Sequence, residues 1–138
     1  MAEAPPAGQE GRIVLVVDDD PAARELMTRF LEREGFQVRC AGDGRSGLAL
    51  ARALKPRAVL LDVEMPQMDG WSVLHAIRSD PSLSGVPVVM ASVVNEKGLG
   101  HALGATDYLT KPIAWERLRR VMERFRPPAA EGGDARCA

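Results

Sequence analysis

Little in this sequence would staple, anchor or steer it. Only two cysteines occur in 138 residues, Cys40 and Cys137. They are too few and too far apart for a disulfide framework or a metal knuckle, and both read as plain thiols in a reducing compartment. The longest unbroken apolar run is Ile13-Val14-Leu15-Val16-Val17, far short of the roughly 18 residues that read as a membrane span. The opening MAEAPPAGQEG lacks both a basic n-region and an apolar h-region, so no secretory signal is read there and a cytoplasmic location is expected. An excess of one charge is also missing. Eighteen Lys+Arg against nineteen Asp+Glu leave a formal net charge of −1, which supplies no global field for nucleic acid or anionic membrane. Neither is expected as a partner.

What is present suits one folded unit. With 46% apolar and 27% charged residues, the chain can close a single core of about this size without staples. The stretches 1–11 and 127–138 are rich in Ala, Pro, Gly and Glu and have almost nothing to bury, so they are expected to be disordered tails around a domain at 12–126. Within it, apolar runs at Ile13–Val17, Phe36–Ala41, Ala58–Val63, Val86–Ala91 and Thr106–Leu109 alternate with segments of helical period. The first, third and fourth runs do not alternate, as strands covered on both faces should not. The second alternates Phe36, Val38 and Cys40 with Gln37, Arg39 and Ala41, which suits an edge strand.

Helix signals fill the gaps. Asp20-Pro21 reads as an N-cap with Pro at the first helical position, Leu26, Phe30 and Leu31 form a stripe, and Gly35 ends the helix. A second helix is predicted over Arg45–Leu54 and a third over Trp71–Arg78. A last helix places Leu118, Val121, Met122 and Phe125 at i, i+3, i+4 and i+7. Strands alternating with helices predict βαβ units and a doubly wound α/β sheet.

In such sheets ligands bind beyond the carboxyl ends of the strands. Asp18, Asp19 and Asp20 follow the first run; Asp62 ends the third, with Glu64 two residues on; Ser92 follows the fourth; Lys111-Pro112 follows the fifth. The second run ends in the turn residues Gly42-Asp43-Gly44. Two carboxylates about 4 Å apart repel by roughly 4 kcal/mol at an effective dielectric of 20, and Lys111 offers only one balancing charge. A hard divalent ion with oxygen ligands, Mg²⁺, fits that edge. Metal, ammonium and hydroxyl together make a site the size of a phosphoryl group, with a carboxylate as the nucleophile. No glycine-rich loop follows the first run, so dinucleotide and P-loop readings are set aside.

Read in order, Val16-Val17-Asp18-Asp19-Asp20-Pro21, Leu60-Leu61-Asp62-Val63-Glu64-Met65-Pro66 with Met68-Asp69-Gly70, Met90-Ala91-Ser92 and Tyr108-Leu109-Thr110-Lys111-Pro112 resemble the receiver domain of two-component response regulators across 12–126. The resemblance implies a flavodoxin-like five-stranded parallel sheet of order 2-1-3-4-5 with helices on both faces. It implies that Asp62 accepts a phosphoryl group from the phosphohistidine of a sensor histidine kinase or a histidine phosphotransfer protein. Asp19, Asp62 and the backbone carbonyl of Glu64 would ligate Mg²⁺, with Asp18 holding a metal-bound water. Lys111 and Ser92 would bind phosphoryl oxygens, Ser92 and Tyr108 would act as the switch pair, with Tyr108 moving inward as Ser92 shifts, and the Lys111-Pro112 bond would be cis. Beyond weak self-phosphorylation and self-dephosphorylation, no enzymatic activity is implied. The segment Ser92–Tyr108 also resembles receivers attached to hybrid kinases. It is shorter than usual for receivers and carries Gly98, Gly100 and Gly104, so a short or irregular fourth helix is expected, and a monomer or weak dimer with it.

Blander readings stand beside these. Asp18-Asp19-Asp20 could be only a helix cap, Ser92 a turn residue and Tyr108 plain packing. His75 and His101 read as surface histidines and the methionines as packing. The arginines from Arg117 to Arg126 read as a solvated or partner-facing surface. Asp18-x-Asp20 after a first strand also occurs in haloacid-dehalogenase phosphatases, but Ala22 stands where that motif wants Thr or Val. A phosphorylation-independent scaffold on the same fold is the third alternative. No output domain is read after residue 126, so the chain is expected to be a single-domain regulator or a receiver excised from a hybrid kinase.

Overall fold

In the computed structural model, which describes residues 13–126, the strands are β1 (Ile13–Val17), β2 (Gln37–Ala41), β3 (Ala58–Asp62), β4 (Val88–Ser92) and β5 (Asp107–Thr110). The tails expected at 1–11 and 127–138, and Cys137 with them, lie outside the described residues. All pairings are parallel and the order is β2-β1-β3-β4-β5. The helices are α1 (Pro21–Arg33), α2 (Gly44–Leu54), α3 (Gly70–Ser79), α4 (Lys97–Ala102) and α5 (Trp115–Glu123).

β1, β3 and β4 are buried at every position, because each has helices on both sides. Leu15 and Val17 face a core built with Leu48 and Ala51 of α2 and Val73, Leu74 and Ile77 of α3. Val14 and Val16 face the opposite core, with Met27 and Leu31 of α1 and Leu118, Val121 and Met122 of α5. β4 starts later than the apolar run that predicts it, since Val86 closes a turn onto Leu83 and Pro87 has no N–H to give the ladder.

Caps fall where the short polar residues stand. Asp20, Asp43 and Asp69 accept from the backbone N–H of Ala22, Ser46 and Ser72, and so start α1, α2 and α3. Gly35 takes the left-handed conformation after α1. α4 has only six residues and no side-chain cap, in line with the short fourth helix that its glycines predict.

Two surface expectations need correcting. The covered face of α1 is centred on Met27 and Leu31, and Leu26 is 56% exposed. Phe30 sits at the flank of that face and stacks on Trp115, ring centroids 5.1 Å apart. Leu26 is one position, about 100° of helix rotation, away from the covered centre. Leu31→Ala is therefore expected to cost about 3 kcal/mol and Leu26→Ala less than about 0.5 kcal/mol, measured by urea unfolding. On β2, Cys40 is exposed while Ala41 is buried. At this edge of the sheet Cys40 lies against Thr28, whose hydroxyl is 3.3 Å from the thiol.

Candidate functional site

Register brings the polar strand ends together. Val17 pairs with Leu61, Asp62 with Ala91 and Ser92 with Thr110. The residues just past β1 and β5, and those closing β3 and β4, thus share one edge of the sheet. Asp18, Asp19 and Asp62 there offer carboxylate oxygens within 4.8 Å of one another. Asp62 and Asp18 are 4% and 6% exposed, whereas Asp19 is exposed.

Lys111 closes the cluster. Its ammonium donates to Asp62 Oδ1 at 2.9 Å and to Asp18 Oδ2 at 3.3 Å. Its backbone is held by a bond from Lys111 N–H to the Ser92 carbonyl, 2.8 Å, ahead of a cis Lys111-Pro112 peptide. Burial pushes the Asp62 carboxyl above its ordinary value, and the charges of Asp18 and Glu64 add to that; the Lys111 contact offsets only part of it. For Lys111, burial pulls the ammonium down, but its bonds and charge contacts with Asp62 and Asp18 outweigh this and leave it raised. One cation thus stands among three carboxylates. Lys111→Met is expected to destabilise the metal-free protein by about 2–3 kcal/mol by leaving those carboxylates uncompensated. Added Mg²⁺ should restore part of the loss in a thermal melt.

This donor set fits a hard divalent cation, because every side chain in it presents carboxylate oxygen and none presents sulfur or imidazole. Asp18 is buried and accepts from Lys111 and from the Asp20 N–H at 2.9 Å, whereas Asp19 is exposed. Asp20 is outside the cluster, since its carboxylate caps α1 through the N–H of Ala22 at 3.0 Å. The phosphatase-type pairing of Asp18 with Asp20 is therefore not assembled.

Ser92 and Tyr108 are placed differently from a simple phosphoryl-binding arrangement. Ser92 is 1% exposed, and its hydroxyl donates to the carboxylate of Glu64 rather than toward Asp62. Tyr108 is already turned inward and donates to the Val94 carbonyl at 2.5 Å. Gly100 makes this possible, since a Cβ there would lie 2.9 Å from the Tyr108 ring.

Several supporting contacts escaped sequence reasoning. Arg24 donates to the Asp18 carbonyl at 2.7 Å and fixes the turn after β1. Gly70 N–H bonds the Val63 carbonyl at 2.9 Å, with no room for a Cβ against the Asp62 carbonyl. Arg78 donates to the carbonyls of Gly104 and Val86 and so ties the connection into β5 to the one before β4. The glycine crowding has a signal, Gly in the helix-start position after Asp69; the arginine contacts have none. His75 and His101 have no place in the carboxylate cluster.

The fold and this edge have known counterparts. Residues 14–123 match the response regulator receiver domain. PilH of Pseudomonas aeruginosa is 38% identical over 112 residues, which cover 79% of this chain and 93% of that protein. The probable transcriptional regulatory protein TcrX of Mycobacterium tuberculosis is 38% identical over 125 residues, 87% of this chain but 53% of TcrX. The chain spans about half the length of several such curated relatives. Among solved structures, the chemotaxis response regulator CheY4 of Vibrio cholerae superposes with a TM-score of 0.76 at 33% identity, covering 82% of this chain and 97% of that one. The receiver domain of sensor histidine kinase PA1611 of Pseudomonas aeruginosa, solved with a magnesium ion coordinated in its active-site cleft, gives 0.75 at 26% identity, covering 83% and 97%. Phosphoacceptor signalling is the general function of receivers of two-component systems, and on sequence and fold alike this chain belongs to the response regulator receiver domain family.

Proposed function

We propose that the unit at 12–126 is a phosphoacceptor switch in which Asp62 takes the phosphoryl group. The donor is a phosphohistidine of a sensor histidine kinase or of a histidine phosphotransfer protein. The observation that carries this reading is the buried Asp62 carboxylate held by Lys111 within a cluster of carboxylates. With Lys111 on Oδ1, Oδ2 of Asp62 forms the new P–O bond as the P–N bond to the imidazole breaks. The electron pair goes to the ring nitrogen. Asp19, Asp62 and the Glu64 backbone carbonyl would hold Mg²⁺, with Asp18 acting through a water. When bound, the ion neutralises charge on the phosphoryl oxygens. Lys111 pairs with one of those oxygens, and the Ser92 hydroxyl binds another once it is free to turn.

Such a site asks for positioning and charge rather than covalent machinery, so its own chemistry is limited to slow phosphorylation by small donors and slow hydrolysis. Donor access fits the surroundings. Leu26 and Trp115 are 56% and 42% exposed, on helices that begin just after the Asp18–Asp20 and Lys111-Pro112 ends of their strands. The chain would work as a monomer or weak dimer through protein contacts, without nucleic acid or membrane. It would do so in the cytoplasm, where the exposed Cys40 thiol stays reduced.

The test is incubation with acetyl phosphate and Mg²⁺, followed by intact mass and peptide mapping. A single hydroxylamine-labile phosphoryl group on the peptide containing Asp62, absent with chelator, is expected. Labelling elsewhere, or sustained turnover of a phosphomonoester with no labelled protein, would overturn the reading.

A further inference from the structure

We propose that the Glu64 carboxylate latches Ser92 in the resting state, holding its hydroxyl off the phosphoryl site until Asp62 is modified. This rests on the phosphoacceptor reading of Asp62 and adds a positioning residue to it. A serine hydroxyl has one proton to donate. In this structure that proton is given to Glu64 Oε2, so it is not available to an oxygen on Asp62.

The bond is a junction rather than an isolated contact. Ser92 Oγ also accepts the Val94 N–H at 3.0 Å. The Val94 carbonyl accepts the Tyr108 hydroxyl at 2.5 Å. The Tyr108 ring in turn packs where Gly100 of α4 leaves room for it. A continuous path therefore runs from Glu64 through Ser92 and Val94 to the ring beneath α4. Moving Ser92 disturbs each link in turn.

The chemistry of the exchange suits a switch. Glu64 and a phosphorylated Asp62 are both anionic acceptors, so Ser92 trades one charge-assisted hydrogen bond for another. Two arrangements so closely matched can be shifted by a single modification. Glu64 is exposed, unlike Ser92, so its carboxylate returns to water when released and leaves no buried unpaired charge behind.

The experiment titrates beryllofluoride, a phosphoryl mimic, at saturating Mg²⁺ and follows Trp71 emission. The Trp71 ring centroid lies 6.3 Å from that of Tyr108, and Trp115→Phe removes the other indole. Glu64→Ala is expected to bind beryllofluoride about tenfold more tightly, the ratio set by losing one charge-assisted hydrogen bond in the resting state. Glu64→Gln keeps an acceptor oxygen without the charge and should fall between. In a Ser92→Ala background the gain from Glu64→Ala should shrink to less than about twofold, because no hydroxyl remains to be released. In the metal-free protein, the Val94 amide resonance should move in Glu64→Ala and stay near its wild-type position in Glu64→Gln. Unchanged affinity in Glu64→Ala, with wild type still binding, overturns the latch alone. So does an equal gain with and without Ser92, which would assign the effect to charge repulsion. Failure of wild type to bind beryllofluoride removes the phosphoacceptor reading and the latch with it.

Discussion

Asp62→Asn is expected to make the metal-free protein more stable at neutral pH and to abolish its response to Mg²⁺ with beryllofluoride. Asp62 is buried beside Asp18 and Glu64, and its carboxyl is raised above the ordinary value of 3.8 even with Lys111 on it. A raised folded-state value means that the native protein binds this proton more readily than the unfolded chain does. The ionised native state is therefore the disfavoured one at pH 7. That penalty disappears as pH falls through the folded value toward 3.8. Asparagine reproduces the protonated shape without the charge, so its advantage over wild type should be largest near pH 7 and should narrow in acid. Thermal melts in chelator from pH 7 to pH 4 measure this directly. Wild type should gain stability from Mg²⁺ by mass action, about 1.4 kcal/mol at tenfold excess over Kd, while Asp62→Asn gains far less. A less stable Asp62→Asn protein at pH 7, or one that still responds to beryllofluoride, would contradict the assignment.

The second large effect lies at a residue with no side chain. A Cβ on Gly70 would stand 2.4 Å from the Asp62 carbonyl oxygen and 2.8 Å from the Val63 Cα. Both obstacles are backbone, which cannot turn away as a side chain could. Gly70 also donates its N–H to the Val63 carbonyl at 2.9 Å, so α3 cannot back off without losing that bond. Gly70→Ala is expected to cost about 3 kcal/mol or more, the upper range for overpacking, and to displace Asp62, the proposed acceptor. Gly98→Ala is the control. Nothing lies within 4 Å of a Cβ there, and the change should be neutral or stabilising by up to about 1 kcal/mol. Urea unfolding of both variants, with beryllofluoride titration of whichever folds, separates the two cases. Equal effects of the two substitutions would show that the crowding at Gly70 is unimportant.

What could be read in advance, and what could not, follows from how each interaction is encoded. β1, β3 and β4 were legible because strands covered on both faces must be apolar throughout. Asp18, Asp19, Asp62 and Lys111 were legible because charged residues end those runs, and a parallel sheet sends all such ends to one edge. The inner face of α1 was misplaced because Leu26, Met27, Phe30 and Leu31 are all apolar, and only packing against the sheet and α5 decides which of them turn inward. The Glu64 side chain was missed because its contact with Ser92 spans 28 residues and depends on a loop conformation that no periodicity reports. Arg24 and Arg78 were missed for a related reason: they bond backbone carbonyls, which carry no residue-specific signal.

The brevity of α4 has a thermodynamic consequence. Six residues with Gly98 and Gly100 among them cannot sustain a helix alone, so its order is borrowed from packing on Tyr108 and Ala105 and from the Ala105 N–H bond to the Gly100 carbonyl. Such a segment opens at a lower free energy than the buried strands and samples open forms without global unfolding. It is a store of conformational entropy on the face above Tyr108. A partner that binds an ordered α4 must remove that entropy, while one that binds its open form is favoured by it. The same surface can thus be selected in opposite directions by small changes beneath it.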